Sequence, residues 1–509
     1  MRRTLSLLSA MVAVAGLSSG LTDSFAAAEA KAPKVLVIGL DGARFDKLMA
    51  ADTPNVHALV KRGYASRSSL YGSGMAPTVS GPGWSTILTG VWPDKHKVKD
   101  NSFAGNDLAS HPSWLARAEA ANPALDTYAA VDWTPISDKI LRTGQDRKFV
   151  QNGDSAGYEK TDEQVAVDAE KHLRQDKADA SFVYFGQTDI AGHDHGADSS
   201  RYEATLRTDD ALIGRLLAAV DARSNRGSED WLIMISADHG HTPSGGHGGD
   251  TPEERMTFVI AAGGAVPAGI PAVAPKIIDI APTVLRHLGV AAPAAYDGYP
   301  LGAAPSDVFD TAVLKPRQDE TGVPSGVLGW THDAPGGWTV RNASGMPAGV
   351  AEWQGWAFTN DDFWTRTAPG QQREANARAR GVFAVADPDE WDDKGSPSSR
   401  GTFDSSLVSP GLEVSGRSTV DVSFVSHYRQ DGTQRGALTA SFDGGPEQGV
   451  LAYGPESGTA NKGGDVLSVP TSASVKVPAG ARSVKLTWRL YAAGNNWYWA
   501  VDAPRVTTR

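Results

Sequence analysis

The stretch WLIMISADHGHTPSGGHGG, residues 231–249, leads from an apolar segment straight into acidic and histidine side chains. Its first six residues are typical of a buried strand, and Asp238 and His239 follow where that strand ends. A third side chain that can bind a metal ion, His247, comes after a glycine-rich turn. Ligands of open α/β sheets bind at the carboxyl edge of the strands. The stretch therefore predicts an α/β fold with a polar site at that edge.

Two other segments repeat this form. VLVIGLDGARFD (35–46) places Asp41 after a strand pattern, and SFVYFGQTDIAGHDHG (181–196) places Asp189 and His193 after another. A single Asp at such a position is usually a helix cap or a turn residue. Three strand ends that carry Asp and His together favour a site for two divalent cations instead. The chain has no cysteine, so His and carboxylate must supply the ligands, a set that suits zinc.

Strand and helix patterns alternate through residues 31–310. They predict an α/β domain with a mostly parallel sheet and helices on both faces. Farther on, short alternating runs separated by turn signals predict a β-sandwich over residues 351–509. The Pro- and Gly-rich residues 311–350 are expected to form a linker. A chain of 509 residues with 40% hydrophobic side chains has enough material for two domains.

The first 30 residues have the composition of an export signal. Arg2 and Arg3 precede a broken apolar run, and Ala28-Glu29-Ala30 fits a cleavage site. We therefore expect a secreted protein, periplasmic or extracellular after removal of residues 1–30. No later stretch is long and apolar enough for a membrane span. The net charge of -11 argues against nucleic acid as a partner.

The second motif is APTVSGPGWSTILTGVWPDKHKV, residues 76–98. Ser80 precedes a helical pattern with Pro82 in its first turn, so it is expected at a helix N-terminus, where free N–H groups and the helix dipole favour an anion. Serine there is also a good helix cap. Ser80 is thus either a cap or, beside a two-cation site, a nucleophile for an anionic group.

Together these segments resemble the alkaline phosphatase superfamily, and in particular the type I phosphodiesterases and nucleotide pyrophosphatases. That branch has, in order, a strand-end Asp, a block PT-x-[TS]-x-P, a D-N pair, D-x-x-x-H, DH and a final His. The corresponding residues here are Asp41, Pro77 to Pro82, Asp100-Asn101, Asp189 with His193, Asp238-His239 and His247. The resemblance covers roughly residues 34–305.

The resemblance implies a role for each of these positions. One cation would be held by Asp41, Ser80, Asp238 and His239, and the other by Asp189, His193 and His247. Ser80 would also be the nucleophile, and Asn101 would bind a phosphate oxygen. Three features depart from the branch: Ser80 replaces Thr, Gly83 replaces Asn, and only seven residues separate His239 from His247.

The resulting hypothesis is a secreted two-metal phosphoesterase that hydrolyses phosphodiester or nucleotide pyrophosphate-type small molecules through a phosphoserine intermediate. Since Ser is also the nucleophile of the alkaline phosphatases, an alkaline phosphomonoesterase stays open. Trp84 stands where sulfatases carry an Arg, which disfavours a sulfatase.

An alternative of another class is a cell-surface or polysaccharide-binding protein with an inactive hydrolase scaffold. The sandwich would then contact polysaccharide or cell wall through a tryptophan platform, although core packing is favoured for these side chains. The platform candidates are Trp353, Trp356, Trp364, Trp391, Trp497 and Trp499.

Several polar residues near the motifs have open roles. Arg44 either clamps substrate or is solvated. His195 and His241 either support the ligands or contact substrate. Thr78 is an alternative nucleophile, and His96 is expected to bond backbone.

Overall fold

The computed structural model describes residues 31–175, 177–269, 271, 273–393 and 401–509, and the expected export signal lies outside the described residues. The N-terminal domain contains one sheet of seven strands. They are β1 (Ala32–Leu40), β2 (Tyr64–Ser69), β3 (Thr127–Val131), β4 (Arg147–Val150), β5 (Ala180–Phe185), β6 (Glu229–Ser236) and β7 (Met256–Gly263).

The strand order in this sheet is β2-β7-β6-β1-β5-β3-β4. Strands β6, β1, β5, β3 and β4 pair in parallel, and only β7 runs against its neighbours β6 and β2. The sheet is therefore mostly parallel, which confirms the predicted fold class.

Helices cover both faces of this sheet. They are α1 (Phe45–Ala50), α2 (Pro54–Arg62), α3 (Ser80–Thr89), α4 (Pro93–His96), α5 (Trp114–Ala121), α6 (Gly153–Ala156), α7 (Tyr158–Leu173), α8 (Gln187–His195), α9 (Ser200–Asp221) and α10 (Ile280–His287). A single π-helical turn spans Ile136–Ile140, and 3₁₀ turns span Arg226–Ser228 and Ile277–Asp279.

The two faces form separate apolar cores because side chains alternate along each strand. On β1, Val35 and Val37 join α3, α5 and α10 in one core. Leu36 and Ile38 of the same strand join α2, α7 and α9 in the other. In the described part of the chain, no helix combines the length and the apolar character needed to cross a bilayer.

The C-terminal part is built from two antiparallel sheets. Its strands are β8 (Lys315–Pro316), β9 (Leu328–Thr331), β10 (Thr339–Asn342), β11 (Trp356–Asn360), β12 (Val382–Ala386), β13 (Phe403–Val408), β14 (Leu412–Glu413), β15 (Thr419–Tyr428), β16 (Arg435–Phe442), β17 (Glu447–Tyr453), β18 (Val466–Lys476), β19 (Ser483–Ala493) and β20 (Trp499–Thr508). Two helices, α11 (Asp361–Thr367) and α12 (Pro388–Asp392), accompany them, with 3₁₀ turns at Phe309–Thr311, Ala351–Trp353 and Arg373–Ala375.

One sheet has the order β18-β15-β20-β12-β11-β9-β8, and the other has β10-β13-β19-β16-β17 with β14 beside β19. They face each other across a shared apolar core, in which the ring centroids of Phe424 and Trp488 are 5.7 Å apart. Residues 311–350, expected as a linker, contribute β8 and β9 to one sheet and β10 to the other. Of these, β8 and β10 lie at sheet edges, where proline is tolerated.

Five of the six platform tryptophans are fully buried, and they are Trp353, Trp356, Trp364, Trp391 and Trp499. Only Trp497 is partly exposed, and the Arg429 guanidinium lies 3.6 Å from its ring centroid. These side chains pack the sandwich core and do not form an exposed platform.

Candidate active site

Three neighbouring strands bring the acidic side chains together. Strands β6, β1 and β5 lie side by side and parallel, so their carboxyl ends share one edge of the sheet. Asp41 directly follows β1, Asp238 lies two residues after β6, and Asp189 is in the first turn of α8, just after β5. The strand-end reasoning therefore placed these residues at the correct edge.

Asp41, Asp238 and His239, which we call the inner group, are fully buried. Their potential ligand atoms all lie within 4.8 Å of one another. His239 Nε2 is 3.4 Å from Asp41 Oδ1 and 3.2 Å from Asp238 Oδ2. Two carboxylates and an imidazole at this spacing suit one divalent cation.

Hydrogen bonds orient the carboxylates of the inner group. Asp41 Oδ2 accepts from Trp84 Nε1 at 2.9 Å and from the Tyr184 hydroxyl at 2.5 Å, and Asp238 Oδ1 accepts from the Gly42 amide at 3.2 Å. The other two oxygens, Asp41 Oδ1 and Asp238 Oδ2, are buried without a hydrogen-bond partner among the described residues. Such oxygens are costly unless a cation binds them, so the donor set fits a metal ion.

A second set of side chains, which we call the outer group, consists of Asp189, His193, His241 and His247. Their potential ligand atoms also lie within 4.8 Å of one another. Asp189 Oδ1 is 2.7 Å from His241 Nε2 and 3.6 Å from His247 Nε2, and its Oδ2 is 3.5 Å from His193 Nε2. The His193 side chain is 45% exposed, whereas that of Asp189 is only 14% exposed. This group therefore opens to solvent on the His193 side.

The inner and outer groups form one continuous site. His239 Nε2 lies 3.9 Å from Asp189 Oδ1, and the rings of His239 and His247 stack with centroids 3.8 Å apart. Two cations bound here would be close neighbours, which is the arrangement of two-metal phosphoryl-transfer sites.

Ser80 is the first residue of α3, and its hydroxyl oxygen lies 3.4 Å from His239 Nε2 of the inner group. Helix α3 starts there because Val79 is extended and Pro82 occupies the first turn. The nearby Gly83 packs against the inner group, since a Cβ atom on it would lie 2.7 Å from the Asp238 carbonyl oxygen. A larger side chain at this position would therefore require a shift of that backbone.

Asn101 lies beside the same helix end. Its Oδ1 accepts a hydrogen bond from the Gly81 amide at 2.7 Å, and its side chain is exposed. The amide nitrogen at the other end of this side chain is a donor. Asn101 is thus held in place through its oxygen and can offer its nitrogen to an anion near Ser80.

Burial shapes the electrostatics of both groups. Burial, followed by repulsion from Asp189, raises the pKa of Asp41 to about 7. Burial also raises the pKa of Asp238 far above its usual value and lowers the pKa of His239 well below its own. A bound dication would oppose the carboxylate shifts by favouring the ionised form, and it binds the neutral imidazole.

Three residues with open roles form hydrogen bonds to the backbone. Thr78 Oγ1 donates to the Gly249 carbonyl at 2.8 Å, Arg44 Nη1 donates to the His241 carbonyl at 3.1 Å, and His96 is buried with its Nδ1 accepting from the Val98 amide at 3.1 Å. Arg44 therefore supports the loop after β6, and its guanidinium also pairs with Asp46.

His241 is the residue that sequence reasoning underestimated. The sequence predicted only a supporting role or a substrate contact for it, but the structure places it in the outer group. His195, for which the same roles were predicted, is exposed at the end of α8. The available signal was its position, two residues after His239 and before His247 in the same loop.

Comparison with known proteins finds relatives for the N-terminal half of the chain. Residues 35–265 match the family model for type I phosphodiesterase / nucleotide pyrophosphatase. Ectonucleotide pyrophosphatase/phosphodiesterase family member 3 of Mus musculus is 28% identical over 226 residues, 41% of this chain and 25% of that protein. Family member 7 of Homo sapiens is 24% identical over 241 residues, 43% of this chain and 50% of that protein.

A third relative is the catalytic subunit of GPI ethanolamine phosphate transferase 2 of Homo sapiens, 24% identical over 233 residues, 45% of this chain and 23% of that protein. The matched part of the chain thus spans at most half the length of these relatives.

Among solved structures, murine ectonucleotide pyrophosphatase / phosphodiesterase 5 aligns with a TM-score of 0.42 and 16% identity, covering 51% of this chain and 96% of that chain. A 2-O GAG sulfatase aligns with a TM-score of 0.43 and 13% identity, covering 65% of this chain and 81% of that one. The family match over residues 35–265 confirms the resemblance to the type I phosphodiesterases and nucleotide pyrophosphatases that the motifs predicted.

Proposed function

We propose that this chain is an exported, two-cation phosphoesterase that hydrolyses phosphodiester or nucleotide pyrophosphate-type small molecules. The observation that carries the proposal is the position of Ser80. Its hydroxyl lies at the start of α3 and 3.4 Å from the inner group, while the outer group begins 3.9 Å from the same histidine nitrogen.

One cation would be held by the inner group together with Ser80, and the other would be held by the outer group. Two bound dications would supply the positive charge that lowers the pKa of the serine hydroxyl and offsets the charge of the phosphate. The ligand set of imidazole and carboxylate favours zinc.

In the first step the Ser80 oxygen attacks phosphorus. The Oγ–P bond forms, the bond from phosphorus to the leaving oxygen breaks, and the leaving group departs as an alcohol or a phosphate. The side-chain nitrogen of Asn101 donates to a non-bridging oxygen, where charge accumulates.

In the second step water hydrolyses the phosphoserine. Its oxygen forms a new bond to phosphorus, the Ser80–phosphorus bond breaks, and Ser80 regains its proton. The product retains one ester group if the substrate is a diester and is inorganic phosphate if the substrate is a monoester.

A diester preference is supported by the names of the relatives, which are pyrophosphatase/phosphodiesterases in two cases. It is also supported by the open outer group, where the half-exposed His193 leaves room for a second ester substituent. Export is supported by the signal-like composition of residues 1–30 and by the "ecto" names of the same relatives. Of the platform tryptophans only Trp497 is partly exposed, so they give no support to a polysaccharide contact of the sandwich.

The test is to compare hydrolysis of bis-p-nitrophenyl phosphate and p-nitrophenyl phosphate by the purified protein, before and after chelation and after re-addition of zinc. We expect chelator-sensitive turnover that is faster on the diester. Faster turnover of the monoester would indicate the phosphomonoesterase. No metal-dependent turnover of either compound would contradict an enzyme and support the binding-protein alternative.

A further inference from the structure

Two loops carry the nucleophile and the last outer ligand, and they are bonded to each other. Thr78, two residues before Ser80, accepts from the Gly248 amide at 3.1 Å through its hydroxyl. Its carbonyl oxygen accepts a hydrogen bond from His247 Nδ1 at 2.7 Å. This bond fixes the tautomer of His247 and leaves Nε2 directed at Asp189.

The same two loops are joined again farther from the site. The Ser73 amide donates to Asp250 Oδ1 at 2.5 Å. Glu254 accepts from the Gly249 amide at 2.8 Å and from the Thr251 hydroxyl at 2.7 Å. Residues 70–79 and 247–255, which we call the loop pair, are therefore one hydrogen-bonded unit.

Arg255 lies at the end of the loop pair and is only 2% exposed. Its Nε and Nη2 donate to the Leu70 carbonyl at 3.1 and 2.7 Å. The same guanidinium reaches the C-terminal part of the chain, with Asp361 Oδ1 at 3.1 Å, Thr365 Oγ1 at 3.3 Å and the Glu374 carbonyl at 3.3 Å. The buried guanidinium of Arg255 thus joins both loops to helix α11 and the segment after it.

Backbone packing reinforces this junction. A Cβ atom on Gly72 would lie 2.2 Å from Glu374 Cγ, and one on Gly74 would lie 3.1 Å from Ala375 Cβ. The segment around Glu374 therefore rests directly on the loop that leads to Ser80, with no room for a side chain between them.

We propose that Arg255 is a positioning residue through which the C-terminal domain holds the loop pair, and with it Ser80 and His247, in the geometry that binds the two cations. The C-terminal domain is then a structural part of the active site. The kinetic consequence rests on the proposed function, whereas the consequence for cation binding does not.

The test compares Arg255→Met and Arg255→Lys with a matched control, Arg380→Met. Arg380 also joins the two domains through a buried ion pair, with both Nη atoms 2.8 Å from the Asp279 carboxylate, but it contacts neither loop. Zinc affinity is measured by calorimetry, kcat and KM are measured on the diester, and melting temperature is measured for each variant.

We expect Arg255→Met to weaken zinc binding and to lower kcat by about 10-fold or more, the size of effect known for groups that orient metal ligands. Arg255→Lys should recover part of both losses, because it keeps the charge but not the fork of donors. Arg380→Met should lower the melting temperature and leave zinc affinity and kcat within about 2-fold, since no ligand loop depends on it.

The proposal is overturned if Arg255→Met changes only the melting temperature, as Arg380→Met does. If Arg255→Met does not fold, Asp361→Asn takes its place, because it removes one charged partner of Arg255 and keeps the side-chain shape. If the unaltered protein binds zinc but hydrolyses neither compound, the proposed function fails, and the zinc affinities alone decide the role of Arg255.

Discussion

The inner and outer groups face different surroundings although they share one site. The inner group is fully buried, and each of its carboxylates is oriented by a hydrogen bond from Trp84, Tyr184 or Gly42. The outer group has three histidines, and one of them, His193, is 45% exposed. The inner group could hold a cation away from solvent beside Ser80, whereas a cation in the outer group would be open to solvent on the His193 side.

The largest effect should come from Ser80→Ala, which tests whether chemistry occurs beside the inner group. We expect turnover of the diester to fall by about four orders of magnitude or more, as for other lost nucleophiles, because no oxygen remains to attack phosphorus. Metal content, measured by atomic emission, should remain close to that of the unaltered protein. A loss of only a few fold would place the nucleophile elsewhere.

A smaller effect is expected from Asn101→Asp, which tests the anion-binding side of the inner group. The substitution keeps the oxygen that accepts from the Gly81 amide but replaces the donor by a negative charge. We expect kcat/KM to fall about 100- to 1000-fold, the loss known for a donor to the transition state. The neighbouring Asp100→Asn should be almost neutral, and equal losses in both variants would contradict a specific role for Asn101.

The variant His241→Gln tests whether the inner and outer groups release their cations independently. The lost imidazole lies 2.7 Å from Asp189 Oδ1, so the outer cation should bind about 10- to 100-fold more weakly while the inner one is unaffected. Stepwise titration with a chelator, followed by metal analysis, should then show one ion leaving much earlier than the other. His195→Gln, at an exposed residue at the end of α8, is the control, and simultaneous loss of both ions would contradict two separable groups.

The smallest effect concerns His172, a buried histidine outside both groups. Neither of its ring nitrogens has a hydrogen-bond partner in the described part of the chain, and its ring stacks on Tyr128 with centroids 3.9 Å apart. Burial lowers the pKa of His172 to about 3, so the unfolded chain binds a proton below pH 6.5 that the folded protein does not. Stability is therefore lost as the pH falls from 6.5 toward 3.

We expect His172→Phe to remove this loss. Between pH 6.5 and pH 4.5 the unfolding free energy of the unaltered protein should fall by roughly 2–3 kcal/mol relative to the variant. Urea unfolding at both pH values, with and without chelator, measures this difference. If this difference changes on chelation, His172 is coupled to the cation groups, although it lies outside both of them.

The strand-end residues could be predicted from sequence, because a buried parallel strand is a continuous apolar run and its last residue marks the sheet edge. Asp41, Asp189 and Asp238 were located in this way. The direction of β7 could not be predicted from sequence, since an apolar run such as Met256–Gly263 has the same pattern in either direction. The edge strand Tyr64–Ser69, with the sequence YASRSS, has no apolar run at all.

The remaining parts depend on contacts between distant residues. His241 has no special sequence context, and its role follows from a loop conformation that directs its ring at Asp189. The strands within residues 311–350 are two to four residues long and gain their stability from sheets built mainly by later sequence. Arg255 resembles any charged residue before a strand until its partners Asp361 and Glu374 are placed.

Strand β20 has a consequence for the order in which the C-terminal sheets fold. Although it comprises Trp499–Thr508, it lies in the interior of its sheet between β15 and β12. The sheet therefore cannot close until these late residues have left the ribosome. Since α11 and the Glu374 segment belong to the same half of the chain, we expect the contacts of Arg255 with Asp361 and Glu374 to become stable only after β20 has joined its sheet.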